Sequence, residues 1–385
     1  MSTAPIYLDH NATTPVDAAV LDAMLPYLRG EFGNPSSAHG LGGRAHEAVE
    51  AARAEVAALI GAAPDEIVFT SGGTEASNIA IRGAVRIDDT RRDVVTSTVE
   101  HPATEACCAF LVAAKHKVTR VPAEPNGLID PARVAAAIDG KTALVTIIHA
   151  QNEIGTIQPI SEIAAAARRH GALVHVDTAQ SVGKIAVDVE ELGADLLSIA
   201  GHKLYAPKGV GVLYVRRGVE LPPLLLGAGQ ERGRRPGTEN VPYIVALGEA
   251  CRIAGTMLER ESKRLSGLFG DLFAALKREI PEIILVGDSK RRLPNTLNVL
   301  FPDASGRKVL EKCSRVMAST GSACHADSEE PSAILTALGI SRDSALGAVR
   351  LSLGRGTTKE NVADAAADLA AAWRSVLAMP AVAAE

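Results

Sequence analysis

Between Ile67 and Val215 the chain alternates short β-branched and aliphatic runs with longer amphipathic stretches. Ile67–Thr70, Val94–Ser97, Val118–Val121, Leu144–His149, Leu173–Asp177, Leu196–Ala200 and Val210–Val215 have the length and residue types of strands. Ile79–Arg86, Ala103–Ala114, Pro131–Ile138 and Ile160–His170 separate most of them with a helical apolar period. Strand, helix, strand, repeated, predicts an α/β fold with a mostly parallel seven-stranded sheet. Ahead of it, Gly43–Ile60 reads as a helix stopped by Gly61 and Pro64. After Asn240 a long helical pattern runs to Ile280 and ends at Pro281. A smaller α+β set follows: Thr296–Leu300, Arg307–Lys312, Ala333–Leu338, Val349–Leu353 and Lys359–Leu377. We expect a large domain over 15–257 and a small domain made of 1–14 and 258–385, joined within the long helix near Met257. Pro380–Glu385 reads as a frayed end.

Composition narrows the function classes. The length, 385 residues, suits two or three domains. Ala, Val, Ile and Leu dominate while aromatics are 3%, which suits helices packed on a buried parallel sheet. Forty basic against 45 acidic side chains give a net charge of −5, so no electrostatic footprint for nucleic acid or anionic lipid is expected. No apolar run approaches the roughly 18 residues of a membrane span. The first ten residues hold Asp9 and His10 and the first Arg is Arg29, so no targeting leader is visible. Five cysteines, an odd number, make no disulfide framework and point to the reducing cytoplasm.

Candidate chemistry gathers at strand ends, where α/β sheets bind ligands. Ser71-Gly72-Gly73-Thr74-Glu75 follows one strand and opens a helix. Its glycines admit close approach and its free N–H groups attract an anion; the bland alternative is a turn capped by Thr74. It matches neither GxGxxG nor GxxxxGK[ST], which counts against nucleotide binding. Gly201-His202-Lys203 ends another strand; Lys203 is either a solvated charge or a Schiff-base lysine. Asp177 closes a hydrophobic strand, as a helix cap or as counter-ion to a cationic ring nitrogen. Together a lysine, a carboxylate and an anion cradle form the inventory that pyridoxal phosphate requires. His101, in Glu100-His101-Pro102, offers an imidazole to stack on such a ring, and Gln151-Asn152-Glu153 offers hydrogen bonds to it.

In the second domain, Ser319-Thr320-Gly321-Ser322-Ala323-Cys324-His325 places a cysteine in a small, polar run. Cys324 is a candidate nucleophile; without a CxxC or HxxxH beside it, a structural zinc site is not expected, and no metal is assigned. Cys107, Cys108, Cys251 and Cys313 lie in apolar patterns and read as packing. Arg350, in Val349-Arg350-Leu351-Ser352, suits capture of a carboxylate or guards a sheet edge.

These motifs resemble cysteine desulfurases of the NifS/IscS type, class V aminotransferases of the fold type I pyridoxal phosphate enzymes. The likeness runs from Leu8-Asp9-His10-Asn11-Ala12-Thr13-Thr14-Pro15 through Phe32-Gly33-Asn34-Pro35, Gly229-Gln230-Glu231-Arg232 and Pro236-Gly237-Thr238-Glu239-Asn240 to Val349-Arg350-Leu351-Ser352-Leu353-Gly354-Arg355. The resemblance implies L-cysteine as substrate, alanine as product, a persulfide on Cys324 and a sulfur-acceptor partner. It implies pyridoxal 5′-phosphate joined to Lys203, with His101 on the ring, Asp177 at its nitrogen, and Gln180 and Asn152 at its oxygen. Gly73, Thr74 and His202 would hold the phosphate, joined by Thr238 from the other subunit of a homodimer. Asn34 and Arg350 would hold the substrate carboxylate. One departure stands out: many members place a serine where this chain has Ala200, which removes one phosphate donor worth about 1 kcal/mol. Arg235–Asn240, Val316–Ser319 and Cys324–Asp327 also resemble selenocysteine lyases, so that activity is the alternative. A non-catalytic scaffold on the same fold would need none of Lys203, Asp177, His101, Arg350 and Cys324.

Overall fold

The computed structural model describes residues 4–321 and 330–378. A two-residue strand, β1 (Ile6–Tyr7), leads into the main sheet. Its seven strands are β2 (Ile67–Thr70), β3 (Asp93–Ser97), β4 (Val118–Val121), β5 (Thr142–Ile148), β6 (Leu173–Asp177), β7 (Leu196–Ala200) and β8 (Gly211–Val215). They lie in the order β2-β8-β7-β6-β5-β3-β4. Strand β8 is antiparallel to both β2 and β7, and the other pairings are parallel. The strands read from the sequence are these: four coincide at both ends, and β3, β5 and β8 are displaced by one or two residues.

Burial on both faces explains the hydrophobic runs. In β2 and β8, Ile67, Phe69, Val212 and Tyr214 face one cluster, whereas Val68, Leu213 and Val215 face another. The first cluster is closed by helix Gly40–Leu59 and the second by helix Gly73–Ala84. Each strand thus needs apolar side chains at consecutive positions, since successive residues point to opposite faces.

A three-stranded antiparallel sheet, order β12-β10-β9, follows: β9 (Ile284–Leu285), β10 (Thr296–Leu300) and, after the short β11 (Val316–Met317), β12 (Ala348–Ser352). Helices Gly306–Lys312 and Lys359–Leu377 pack there on a separate cluster. β1 pairs in parallel with β11, and Ile6 and Leu8 are buried in that cluster.

Helix Val241–Glu279 runs between the two regions. Val241, Ile244, Leu247, Cys251 and Ala254 enter the main-sheet cluster, and Leu265, Leu268, Leu272 and Leu276 enter the small-sheet cluster. By length and composition this helix is long and apolar enough to cross a membrane, which departs from the sequence expectation. Its apolar stripe is instead the shared wall of two protein cores. Helix Ala18–Arg29 was not evident in the hydrophobic pattern. Pro26 lies inside it and reads as a breaker, but Asp17 caps its start by accepting from the Ala19 N–H at 3.0 Å.

Candidate active site

The ends of β2, β3, β5, β6 and β7 converge on one cavity of about 250 Å³. Gly73, Thr74, His101, Asn152, Asp177, Gln180, His202, Lys203 and Arg350 line it, together with Asn11 and Ala12 from the N-terminal arm.

Helix Gly73–Ala84 begins two residues earlier than a Thr74 cap would allow. Gly72 is the cap residue, at φ +153° and ψ 178°, and no side chain caps the first turn. Only glycine adopts that backbone readily. A Cβ on Gly211 of β8 would approach the Gly72 backbone at 2.6 Å, so strand and turn need glycine on both sides. The uncapped N–H groups of the first turn are therefore available to an anion. Glu75 steadies the turn from outside, accepting from the Ser71 N–H at 2.6 Å and from Arg235 Nε at 2.9 Å. Ala200 forms the opposite wall and offers a methyl group where a hydroxyl would donate.

Lys203 follows β7 in a tight turn. Its Nζ donates to the main-chain carbonyls of Asn11 and, at 2.6 Å, Ala12. Burial and then the Arg350 charge push its pKa down to about 8, against the pull of Asp9 and Asp177. An amine so placed gives up its proton far more readily than an exposed lysine. Asp177 is buried, and among the described residues no cation pairs with it. One carboxylate oxygen accepts from the Ala179 N–H at 2.9 Å, so Asp177 shapes a turn and caps no helix.

His101 caps helix Pro102–Ala113, its Nδ1 accepting from the Ala103 N–H at 3.1 Å. That bond leaves Nε2 as the protonated nitrogen of the neutral ring. Burial first, then Lys203, lower the His101 pKa, with Asp177 opposing. The neighbouring Glu100 accepts from Ser97 Oγ at 2.5 Å and the Ile148 N–H at 3.1 Å, tying β3 to β5 where both enter the cavity. Burial pushes its pKa up to about 8. His202 hydrogen-bonds Thr13 Oγ1 at 3.2 Å, and burial, with Lys203, lowers its pKa to about 4.

Arg350 is buried on β12; its Nη2 meets Asp9 Oδ1 at 2.7 Å and its Nη1 the Asn152 carbonyl at 3.2 Å. Among the described residues its Nε has no partner. The sequence did not reveal Asp9 as that partner, because 341 positions separate the two. Gln180 reaches the cavity wall with its amide already engaged: Nε2 donates to the Asn11 carbonyl at 3.0 Å and Oε1 accepts from Lys184 at 2.7 Å. Gln151 turns away, its Oε1 accepting from the Glu153 N–H at 2.6 Å and the Ile154 N–H at 3.0 Å.

Two expected residues are not brought to this cavity. Asn34 is exposed and accepts from the Ser36 N–H at 2.9 Å, and Thr238 is exposed on a separate loop. Cys324 lies outside the described residues. Cys107, Cys108, Cys251 and Cys313 are buried thiols, as their apolar patterns predict.

The donor set fits pyridoxal phosphate: an open anion cradle, a lysine with a lowered pKa, and an unpaired buried carboxylate face one space. Comparison with known proteins agrees. The aminotransferase class-V family model matches residues 6–364. A cysteine desulfurase of Nostoc sp. is 46% identical over 359 residues, covering 93% of this chain and 90% of the relative. The cysteine desulfurase IscS of Dictyoglomus turgidum is 42% identical over 360 residues, covering 93% and 91%. A solved NifS-like protein superposes with a TM-score of 0.90 at 35% identity, covering 95% of this chain and 98% of its own. The chain therefore belongs to the class V aminotransferases, fold type I enzymes that depend on pyridoxal 5′-phosphate, and the relatives it resembles there are cysteine desulfurases.

Proposed function

We propose that this protein is a pyridoxal phosphate-dependent cysteine desulfurase that converts L-cysteine to L-alanine and carries the sulfur away as a persulfide on Cys324. The observation that supports this most is the convergence of Lys203, Asp177, His101 and the Gly72–Thr74 cradle on one cavity. Bound there, the cofactor supplies an electron sink for the substrate's α-carbon. Gly73, Thr74 and His202 would hold its phosphate, Asp177 its ring nitrogen, and Asn152 and Gln180 its oxygen. Lys203 would anchor it, and its amine would take the substrate's α-proton; a pKa near 8 suits that transfer near neutral pH. His101 would flank the ring and move the proton of the substrate thiol through Nε2.

Arg350 receives the substrate carboxylate, which competes with Asp9 for the guanidinium, while Asn34, exposed and outside the cavity, does not reach it within this chain. The chain leading to Cys324 starts beside this residue: Arg350 N–H donates to the Ser319 carbonyl at 2.6 Å. The Cys324 thiolate attacks the substrate sulfur; a new S–S bond forms as the C–S bond breaks and the carbon side leaves as alanine. Cys324→Ala is expected to abolish alanine formation from cysteine while sparing much of any activity on selenocysteine. A wild-type protein that ignores cysteine yet consumes selenocysteine would overturn the assignment.

The exposed position of Thr238 supports a homodimer in which each copy completes the other's phosphate site. Thr238→Ala is expected to weaken cofactor retention several-fold, about 1 kcal/mol for one hydroxyl donor, with the melting temperature unchanged. A fully active monomer in sedimentation would defeat this arrangement. We place the boundary between residues 15–257 and the small domain (1–14 and 258–385) at Met257, between the two packed halves of the long helix. The reaction belongs in the cytoplasm, with a protein sulfur acceptor as partner.

A further inference from the structure

Asn11 stands at the centre of the site, and each of its polar atoms is engaged. Its N–H donates to Ser352 Oγ at 2.9 Å, and its Nδ2 donates to Thr296 Oγ1 at 2.8 Å and the Asn152 carbonyl at 3.1 Å. Its carbonyl receives Gln180 Nε2 and Lys203 Nζ. Its Oδ1 accepts from Lys184 Nζ at 3.0 Å and Asn295 Nδ2 at 3.1 Å. The arm that holds the Lys203 amine is therefore itself held by a second lysine.

Lys184 is an unusual residue for that place. It is buried, and among the described residues no carboxylate forms an ion pair with it. Its acceptors are two neutral amide oxygens, Asn11 Oδ1 and, at 2.7 Å, Gln180 Oε1. Two acceptors match the two N–H bonds of a neutral amine, whereas an ammonium has three donors to satisfy. Burial, with Lys203 and Arg350 nearby, pushes its pKa well below the ordinary lysine value. A methionine would fill the volume without desolvating an amine, so packing alone does not account for a lysine. The turn that carries it is pressed against the Lys203 segment: Gly183 sits at φ +74°, and a Cβ there would meet Leu204 Cδ2 at 2.3 Å.

We propose that Lys184 is a positioning residue for the reaction: it fixes Asn11 against Gln180 and so fixes the carbonyl on which the Lys203 amine rests whenever it is not joined to cofactor. This rests on Lys203 being the cofactor lysine. During turnover the substrate amine displaces Lys203, and the freed amine must stay within reach of the α-carbon. The Asn11 and Ala12 carbonyls supply a resting place a short swing away, and Lys184 keeps that place from drifting.

The test compares wild type, Lys184→Met, Asn11→Ala and the double variant, all as full-length chains. In the cofactor-stripped proteins, acetylation of Lys203 by acetic anhydride is quantified by mass spectrometry against the exposed Lys312. Steady-state kinetics on cysteine are measured in the reloaded proteins. Lys184→Met is expected to speed Lys203 acetylation by about 5-fold and to lower kcat by about 10-fold with KM within 2-fold, because a misplaced base slows chemistry more than binding. Asn11→Ala, which removes the acceptor and keeps Lys184, is expected to give the same changes. The double variant should match Asn11→Ala, since Lys184 acts through Asn11 and has nothing left to fix once that side chain is gone. Wild-type acetylation and kcat in Lys184→Met, or multiplied effects in the double variant, would overturn the proposal. Failure of the underlying reading shows separately, as a Lys203→Ala protein that still binds cofactor covalently.

Discussion

Lys203→Ala is expected to lower the rate of alanine formation from cysteine by at least about 10³-fold, because one substitution removes both a covalent anchor and a general base. Lys203 is the lysine that lines the 250 Å³ cavity, and its amine lies between the Asn11 and Ala12 carbonyls and the field of Arg350. Lys184 is held behind Asn11 and does not line that cavity, so it is not positioned to substitute. The phosphate cradle does not depend on Lys203: Gly72 and Gly73 keep their turn through Glu75, Ser71 and Arg235. Cofactor should thus still bind, but without the covalent link. Three measurements separate the chemical role from a structural one: alanine released, the visible spectrum after adding pyridoxal phosphate, and the melting curve. The expected set is no turnover, a free-aldehyde spectrum and an unchanged melt. A variant that keeps turnover within 10-fold of wild type would refute the assignment.

The fold was legible because buried parallel strands are written as continuous β-branched runs. β5 is buried at all seven positions and β7 at all five, so both read as near-continuous apolar runs, although β5 starts two residues earlier and ends one earlier than that run suggests. Glycines and prolines marked the ends of the long helices in the same way. The site was legible wherever a reactive residue ended a strand, as with Asp177 on β6 and Lys203 after β7. Partners distant in sequence were not. Asp9 and Arg350 are 341 positions apart, and Lys184 meets Asn11 from 173 positions away. No local pattern announces such a pair, because each residue alone looks like an ordinary polar side chain. The N-terminal arm shows the difference well. Its motif, Leu8 to Pro15, carried family likeness, yet the work of Asn11 emerges only when Gln180, Lys184, Lys203 and Asn295 surround it. Asn34 and Thr238 are a different case: both are exposed and lie outside the cavity, so nothing in the geometry of this chain marks them.

Arg53→Met is expected to destabilise the main-sheet region by about 3–5 kcal/mol, the usual consequence of stranding one member of a buried ion pair. Arg53 grips Glu231 with two hydrogen bonds, Nη1 to Oε2 at 2.8 Å and Nη2 to Oε1 at 2.9 Å, and both side chains are nearly inaccessible to water. Its Nη1 also donates to the Ile67 carbonyl at 2.8 Å, and the Phe69 N–H donates to Glu231 Oε2 at 2.9 Å. The pair thereby joins helix Gly40–Leu59, strand β2 and the loop after Gly229. That loop has a strained start, because Glu231 and Arg232 lie at φ 49° and 57° in the left-handed region. Each such residue costs about 1 kcal/mol or more, which the bidentate contact must offset. A few residues on, the same loop delivers Arg235 to Glu75 at the anion cradle and carries Thr238. Losing Arg53 should therefore loosen cofactor retention as well as the fold. Glu231→Gln in the Arg53→Met background keeps an acceptor for the Phe69 N–H and removes the stranded charge. The double variant is accordingly expected to regain a large part of the lost stability. Urea unfolding followed by far-ultraviolet circular dichroism measures both changes. An Arg53→Met protein within about 1 kcal/mol of wild type would mean that the pair contributes no more than an exposed salt bridge, and the loop would need another anchor.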